Sequence, residues 1–310
     1  MELKDLRIVF MGTPDFAVAS LDALVQAGCH IVGVITAPDK PAGRGMQLQG
    51  SAVKKYAAER GLHLLQPEKL KNEAFLEELR SLRADLQVVV AFRMLPEAVW
   101  NMPPHGTINV HGSLLPQYRG AAPINWAVIN GETETGVTTF RLQHAIDTGD
   151  ILLQERIPIG ADETAGDVHD RMKETGAQLL VRTLQQLTAG TLHPVPQAHL
   201  DPTSLKHAPK LVTETGRIDW TKPVRDVHNL VRGLSPFPGA FSTLSGKMLK
   251  IYRCRVVAGT PNEAPGTPVT DGKTYLHFTC PDGYLEVVAL QLEGKKRMPV
   301  GDFLRGYRFE

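Results

Sequence analysis

The sequence predicts an α/β fold: a Rossmann-like, mostly parallel sheet with helices on both faces, followed by a smaller OB-like β-barrel domain. Three observations lead there. Over roughly the first hundred residues, short β-branched apolar runs alternate with segments of helical period, the pattern of a parallel sheet covered on both sides. Residues 191–209 then carry Pro194, Pro196, Pro202 and Pro209 without sustained periodicity, which marks a linker. Beyond it, five or so short strands broken by Gly and Pro have the spacing of a small barrel.

Residues 7–11 read as a first buried strand, Gly12-Thr13-Pro14 as a turn, and residues 15–27 as a helix that stops at Gly28. A second strand over 31–36 completes a β-α-β start. The turn stands where a dinucleotide fingerprint would, but it lacks the second and third glycines of G-x-G-x-x-G, and Pro14 and Asp15 bring bulk and negative charge. A pyrophosphate is disfavoured there, so neither NAD nor FAD is expected. Residues 38–47 hold two prolines, two glycines, Lys40 and Arg44, which makes them a surface loop long and basic enough to meet a charged partner.

Helices over 54–60 and 73–82 follow, then a buried strand over 86–91 that leads to Phe92, and a strand over 106–110. Pro123 introduces a helix to about residue 130, and 136–142 and 150–159 read as two strands, antiparallel, around a 143–149 loop. Thr164 is the expected amino cap of a long amphipathic helix to 187, with Gly190 at its end. Past the linker come a short helix over 226–234 and strands over 239–244, 247–257, 266–270, 274–279 and 285–291. Lys295-Lys296-Arg297 falls on a late turn.

Composition narrows the function classes. With 42% hydrophobic and 22% charged residues the chain is an ordinary globular protein, not a disordered or fibrous one. The apolar run 8–11 near the amino terminus is too short for a signal-peptide core, and no apolar run approaches the ~20 residues of a membrane span. A cytoplasmic protein with no membrane partner is expected. Cys29, Cys254 and Cys280 are far apart and are expected to be thiols. The histidines form no H-E-x-x-H and no tight His/Cys group, so no metal is expected. Charge is uneven: residues 205–310 hold 16 Lys and Arg against 10 Asp and Glu, a net +6, while residues 1–204 carry a net −5. A basic carboxyl third suits a polyanion, although a merely solvated basic face would look the same.

The chemistry concentrates in Asn109-Val110-His111-Gly112-Ser113-Leu114-Leu115-Pro116, answered by Asp147-Thr148-Gly149-Asp150. At the carboxyl end of a strand, Asn109 and His111 point to one side and Val110 to the other. In an open parallel sheet that end faces the ligand crevice. An amide can donate to a developing oxyanion without titrating, an imidazole can donate or accept, and Asp147 would orient the imidazole and favour its protonated form. No serine or cysteine sits in an activating motif, so the nucleophile is expected from the substrate. Taken alone, a histidine at a strand end is more often structural, and Asp-Thr-Gly-Asp is an ordinary turn sequence.

Those residues belong to a wider pattern that resembles the methionyl-tRNA formyltransferase family, among the folate-dependent formyltransferases, over nearly the whole chain. The segments that carry the resemblance are Gly12-Thr13-Pro14-Asp15-Phe16-Ala17, residues 38–45, 109–116, Arg119-Gly120-Ala121-Ala122-Pro123-Ile124, 147–150, Gly216-Arg217-Ile218-Asp219-Trp220 and residues 231–240. The resemblance implies 10-formyltetrahydrofolate as formyl donor and the α-amino group of methionine on initiator methionyl-tRNA as acceptor, for translation initiation. It implies Asn109, His111 and Asp147 as the catalytic set. Ser113, Leu114, Leu115 and Pro116 would border the folate, and Phe92, Arg93, Met94, Leu95 and Gln143 would receive the pterin. Lys40 and Arg44 would meet the tRNA, as would the basic carboxyl domain. Residues 1–190 would then be the catalytic domain, 191–209 the linker and 210–310 the tRNA-binding domain, in a chain expected to be a monomer. Two departures stand beside the implied pterin site. Ala91-Phe92-Arg93-Met94-Leu95-Pro96 replaces the commoner Ala-Tyr-Gly before Leu-Pro, and Gln143-His144-Ala145 stands where Met-Asp-Glu-Gly is frequent.

Overall fold

The computed structural model describes residues 2–42, 46–197 and 202–309. The first half of the chain runs β1 Arg7–Gly12, α1 Asp15–Gln26, β2 His30–Ile35, β3 Lys40–Ala42, β4 Gln47–Gln49, α2 Ala52–Glu59, β5 Leu64–Leu65, α3 Glu73–Ser81, β6 Leu86–Val90, α4 Glu97–Trp100, β7 Thr107–His111, β8 Arg119–Gly120 and α5 Pro123–Ile129. The second runs β9 Glu134–Arg141, β10 Ile151–Pro158, α6 Ala165–Ala189, β11 His207–Ala208, α7 Val224–Gly233, β12 Ala240–Leu244, β13 Lys247–Ala258, β14 Pro268–Thr270, β15 Leu276–Cys280, β16 Gly283–Leu292, β17 Met298–Pro299 and α8 Val300–Gly306. These elements form two compact units, each built from three stretches: Met1–Gly120, Gly136–Ile157 and Asp170–Lys206 in the first, Ala121–Thr135, Pro158–His169 and His207–Glu310 in the second.

The first unit carries a seven-stranded sheet in the order β10-β9-β7-β6-β1-β2-β5. Pairing is parallel from β5 through β2, β1 and β6 to β7, and antiparallel from β7 to β9. β6 is buried throughout and β1 from Ile8 onward, as expected of central strands covered on both faces. The chain builds outward from β1 to β2 and β5, then returns to β6 and β7. Strand order therefore reverses between β1 and β6, and a ligand crevice belongs at the carboxyl ends there. The last position of β1 is held to glycine, because a Cβ on Gly12 would stand 2.6 Å from Ala17 Cβ and 3.0 Å from the Val90 carbonyl. β5 and α4, of two and four residues, are too short for any period to announce them.

Ser51 caps α2 by accepting the Lys54 N–H at 3.0 Å, and Asn72 caps α3 through Phe75 N–H at 3.2 Å; such caps contribute about 1 kcal/mol each. The last long helix, α6, closes over one face of β7 and β9. A Cβ on Gly176 would lie 3.2 Å from Val110 and 3.3 Å from Val137, so any larger residue would have to push those methyls back by a few tenths of an ångström. On the same face Thr139 and Thr183 share a hydroxyl hydrogen bond of 2.8 Å.

Two sequence expectations change. Residues 38–47 are not all loop: β3 and β4 pair as an antiparallel hairpin with Lys40 opposite Gln49. Its foot is pinned at Asp39, which accepts from Lys54 Nζ at 2.5 Å and Gln66 Nε2 at 2.8 Å. Arg44 lies outside the described residues. The stretch 191–209 is not a free tether throughout either. Ile151 and Val195 exchange both backbone hydrogen bonds at 2.8 Å, and Gln197 is buried.

The second unit is a curled antiparallel half-barrel, OB-like, in the order β12-β13-β16-β15-β14 with β17 also on β16. Along β16, buried Leu285 and Val287 alternate with partly exposed residues; the alternation slips by one and resumes at Leu290 and Leu292. The slip faces a register shift in β13 between Ile251 and Cys254. An irregularity of this kind bends and twists a strand. Val224, Val227 and Val231 of α7 pack into the core with Leu249, Ile251, Phe278 and Leu285. α5 lies against α7 at glycine distance, since a Cβ on Gly233 would meet Ile129 Cγ1 at 2.5 Å. Asn125 Nδ2 donates to the Gly233 carbonyl at 2.8 Å. The first turn of α6 is closed reciprocally: Asp167 N–H donates to Thr164 Oγ1 at 3.2 Å, and Thr164 N–H donates to Asp167 Oδ2 at 2.9 Å.

Candidate active site

β7 sets the geometry. Asn109 lies opposite Phe140 and His111 opposite Thr138 on β9, so these four side chains share one face while Val110 and Thr139 turn to α6. Phe140 is fully buried and meets the His111 ring edge to face at 6.3 Å between centroids. The Asn109 side chain is partly exposed and makes no hydrogen bond among the described residues, which leaves its two N–H donors uncommitted.

His111 is buried, and its Nε2 lies 2.9 Å from the Tyr118 carbonyl. A carbonyl can only accept, so Nε2 carries the hydrogen and Nδ1 is the basic atom of the neutral ring. Nδ1 faces Asp147 Oδ2 at 3.8 Å. The tautomer is thus fixed by the Tyr118 carbonyl. Burial pushes the His111 pKa below its ordinary value, against the opposing pull of the Asp147 carboxylate and the Tyr118 carbonyl. The resting ring is neutral, and a proton taken up at Nδ1 would be stabilised by the charge of Asp147 across 3.8 Å.

The turn that presents Asp147 is held from elsewhere in the chain. Asp147 has a positive φ of 54°, and Oδ2 accepts the Gly120 N–H at 2.9 Å. Gln197 Nε2 donates to the carbonyls of Asp147 at 2.8 Å and Gly149 at 2.9 Å, while its Oε1 accepts from Arg119 Nε at 3.1 Å and Nη2 at 2.5 Å. Only this amide orientation works, because carbonyls accept and a guanidinium donates. Gly149 packs so tightly that a Cβ would sit 1.6 Å from the Arg141 carbonyl oxygen. Tyr118, Gly120 and Gln197 were given no site role from the sequence. The first two act through backbone atoms, and Gln197 sits in a proline-rich stretch without pattern.

The other sequence candidates divide. Ser113 is buried, with its hydroxyl donating to the Gln117 carbonyl at 2.7 Å and its own carbonyl accepting from Thr138 Oγ1 at 2.7 Å. Leu115 is buried too, its N–H on Thr138 Oγ1 and its carbonyl on Gln154 Nε2. These two residues build the turn, whereas Leu114 and Pro116 are partly exposed. Phe92, Arg93, Met94 and Leu95 follow β6 without regular structure, and their backbone N–H and C=O groups have no hydrogen-bond partner among the described residues. Met94 is 77% exposed. Arg93 binds the carbonyls of Glu68, at 2.8 Å, and Pro67. Gln143 is exposed on the loop before Asp147, and Lys40 is exposed on its hairpin. The unpaired 92–95 backbone and the Asn109 amide leave hydrogen-bond donors and acceptors open to a ligand.

No thiol competes as nucleophile: burial pushes Cys29 and Cys280 up to about 11 and raises Cys254 further. Among the described residues no helix is long and apolar enough to cross a membrane, and no group of three His, Cys, Asp or Glu could hold a metal ion.

Residues 6–184 match the formyl transferase family and residues 210–308 the formyl transferase C-terminal domain. The methionyl-tRNA formyltransferase of Bacteroides fragilis is 53% identical over 99% of this chain and 97% of its own length. The chain belongs to the methionyl-tRNA formyltransferase family. The family's member from Phocaeicola vulgatus is 57% identical over 99% of this chain and 98% of its own. Among solved structures, an N-formyltransferase from Helicobacter canadensis, in complex with folinic acid and dTDP-3-aminofucose, covers 94% of this chain and 100% of its own at a TM-score of 0.69 and 19% identity. HypX from Aquifex aeolicus, in complex with tetrahydrofolic acid, covers 98% of this chain and 48% of its own at a TM-score of 0.66 and 19% identity. At that identity the two structures share the fold.

Proposed function

We propose that this protein transfers the formyl group of 10-formyltetrahydrofolate to the α-amino group of methionine on initiator methionyl-tRNA. The observation that carries the chemistry is the uncommitted Asn109 amide on the same strand face as the His111–Asp147 pair. The family relationship over both units supports the choice of donor and acceptor.

When bound, the folate supplies an activated formyl carbonyl; the unpaired backbone of Phe92 to Leu95 would hold its pterin, beside Gln143. The acceptor amine adds to the formyl carbon, and the bond from that carbon to the donor nitrogen breaks. Asn109 donates to the oxygen as negative charge develops, a contact that typically contributes about 10²- to 10³-fold in rate. The proton leaving the amine is taken up at Nδ1 of His111 against Asp147, and the resulting imidazolium adds positive charge beside the oxyanion. His111 gives that proton to the donor nitrogen as it departs, which returns the ring to its neutral form beside the Asp147 carboxylate. Lys40 and the basic segment 205–310 would meet the tRNA phosphates.

The test is direct. The protein is incubated with 10-formyltetrahydrofolate and, in separate reactions, methionyl-tRNA, glycinamide ribonucleotide or an amino-sugar nucleotide. Formyl-methionyl-tRNA as the main product supports the reading, and transfer confined to a small amine overturns it.

A further inference from the structure

Phe237 is the most exposed large hydrophobic side chain among the described residues, at 81%. It sits at the tip of the turn between α7 and β12, and this turn is firmly built. Gly239 N–H donates to the Leu234 carbonyl at 2.8 Å, Lys250 Nζ donates to the Pro238 carbonyl at 2.9 Å, and Gly166 N–H donates to the Ser235 carbonyl at 3.0 Å. Pro236 and Pro238 flank the phenylalanine and restrict its backbone on both sides. Gly239 has a φ of +88°, and a Cβ there would meet the Tyr252 ring at 3.2 Å and Lys250 Cδ at 3.3 Å. Beneath the turn, buried Arg232 donates to the carbonyls of Gly160 and Glu163. Such scaffolding commonly buries an apolar residue, yet here it holds one out in water.

The neighbourhood is cationic and aromatic. Lys250 reaches the turn itself, Tyr252 packs against its glycine, and the exposed Arg297 lies over the Tyr252 ring at 4.4 Å. Lys295 and Lys296 precede it, both exposed. Arg253 is paired with Asp167 at 3.4 Å, so that carboxylate is already answered. The whole segment 205–310 carries a net charge of +6. A rigid exposed ring beside cations that no carboxylate answers among the described residues is the arrangement that stacks on an unpaired base while the cations meet the flanking phosphates.

We infer that Phe237 is a stacking platform for an unpaired base of the tRNA substrate, with Lys250 and Arg297 on the adjoining phosphates. This rests on the tRNA reading above. Because the turn is fixed before binding, little ordering entropy opposes the contact.

The experiment compares wild type, Phe237→Ala, Phe237→Leu and Phe237→Trp in the full chain, measuring tRNA affinity, formyl transfer and sedimentation. An exposed side chain leaves folding intact on replacement. Loss of one base stack should weaken tRNA binding by roughly 5- to 100-fold in Phe237→Ala. Phe237→Leu should be nearly as weak, since it keeps apolar area without a π-face, whereas Phe237→Trp should bind as well as wild type and show fluorescence quenching on tRNA. The rate at saturating tRNA should hold, and the salt slope of binding should be unchanged because no phosphate contact is removed. Wild-type affinity in Phe237→Ala, or in Phe237→Leu, overturns the inference. So does a concentration-dependent dimer of the wild type that Phe237→Ala abolishes, since the ring would then be covered by a second copy. Failure of the wild type to formylate methionyl-tRNA counts against the parent reading instead.

Discussion

Replacing Gln197 with alanine removes a side chain that touches no reacting atom in the proposed chemistry, yet it should slow transfer. Its amide makes two hydrogen bonds to carbonyls of the Asp147 turn and accepts two from Arg119. Neutral bonds contribute about 1 kcal/mol each net, and the charge-assisted fork about 1.5–3 kcal/mol. Water can reach Arg119 and Asp147, which are partly exposed, but not the buried Gly149. The loss in stability should therefore be about 2–3 kcal/mol rather than the full sum. The kinetic effect comes from position. Asp147 is held at a positive φ by that turn, and a drift of about 1 Å at a reacting group costs on the order of 10²-fold. Single-turnover formyl transfer should fall roughly 10- to 100-fold, with the KM for tRNA within about twofold of wild type. Gln197→Glu separates the two halves of the network: it keeps an acceptor for Arg119 but presents a carboxylate to two carbonyls, and should lose at least as much rate as alanine. Retention of more than half the wild-type rate by Gln197→Ala would refute the reasoning, because the turn would then be held without it.

Asn109→Ala should lower kcat about 10²- to 10³-fold with little change in urea stability, since the amide has no partner to lose; a stability loss above about 1 kcal/mol would point to a structural role. Asp147→Asn should cut kcat about 10²- to 10⁴-fold and move the acid limb of the pH–rate profile to lower pH, because the carboxylate it removes raises the His111 pKa; an unmoved limb would dissociate Asp147 from His111. His228 is buried, with Nδ1 unpaired, and burial followed by the nearby Arg232 depresses its pKa below the ordinary 6.5. The unfolded chain therefore binds this proton more readily, so stability is full above that value and is lost as pH falls from it toward the folded pKa. His228→Gln should flatten part of the decline between about pH 7 and 5 in urea titrations, and an unchanged slope would assign the decline elsewhere.

What the sequence made legible was whatever repeats with a period or caps an element. The alternation in β7 put Asn109 and His111 on one face, and Thr164 announced α6. The half-barrel showed itself through short strands and punctuation. What stayed hidden involves backbone atoms and distant partners. The Tyr118 carbonyl that fixes the His111 tautomer has no side-chain signature. Gln197 lies 50 residues from Asp147 and 78 from Arg119. Arg93, one of the departures from the family pattern, could be read as a change in the pterin site; its guanidinium instead binds carbonyls at Pro67 and Glu68, leaving the adjoining backbone open. α5 carries no mark of its unit, because its fit against α7 depends on Gly233 more than 100 residues later.

The three-stretch build of each unit means that the chain passes between them five times. Residues 121–135 leave the ribosome well before α7, the helix against which α5 rests. At ordinary synthesis rates, the roughly one hundred intervening residues take on the order of 5–20 s. Through that interval α5 holds an apolar flank, Ile129 included, with its eventual cover still unmade. The same layout bears on engineering. A fragment of residues 207–310 would carry α7 with Gly233 laid bare, so the basic carboxyl third cannot be grafted onto another protein by a single splice. A transplant would have to bring the two earlier stretches with it, or a designed helix in place of α5.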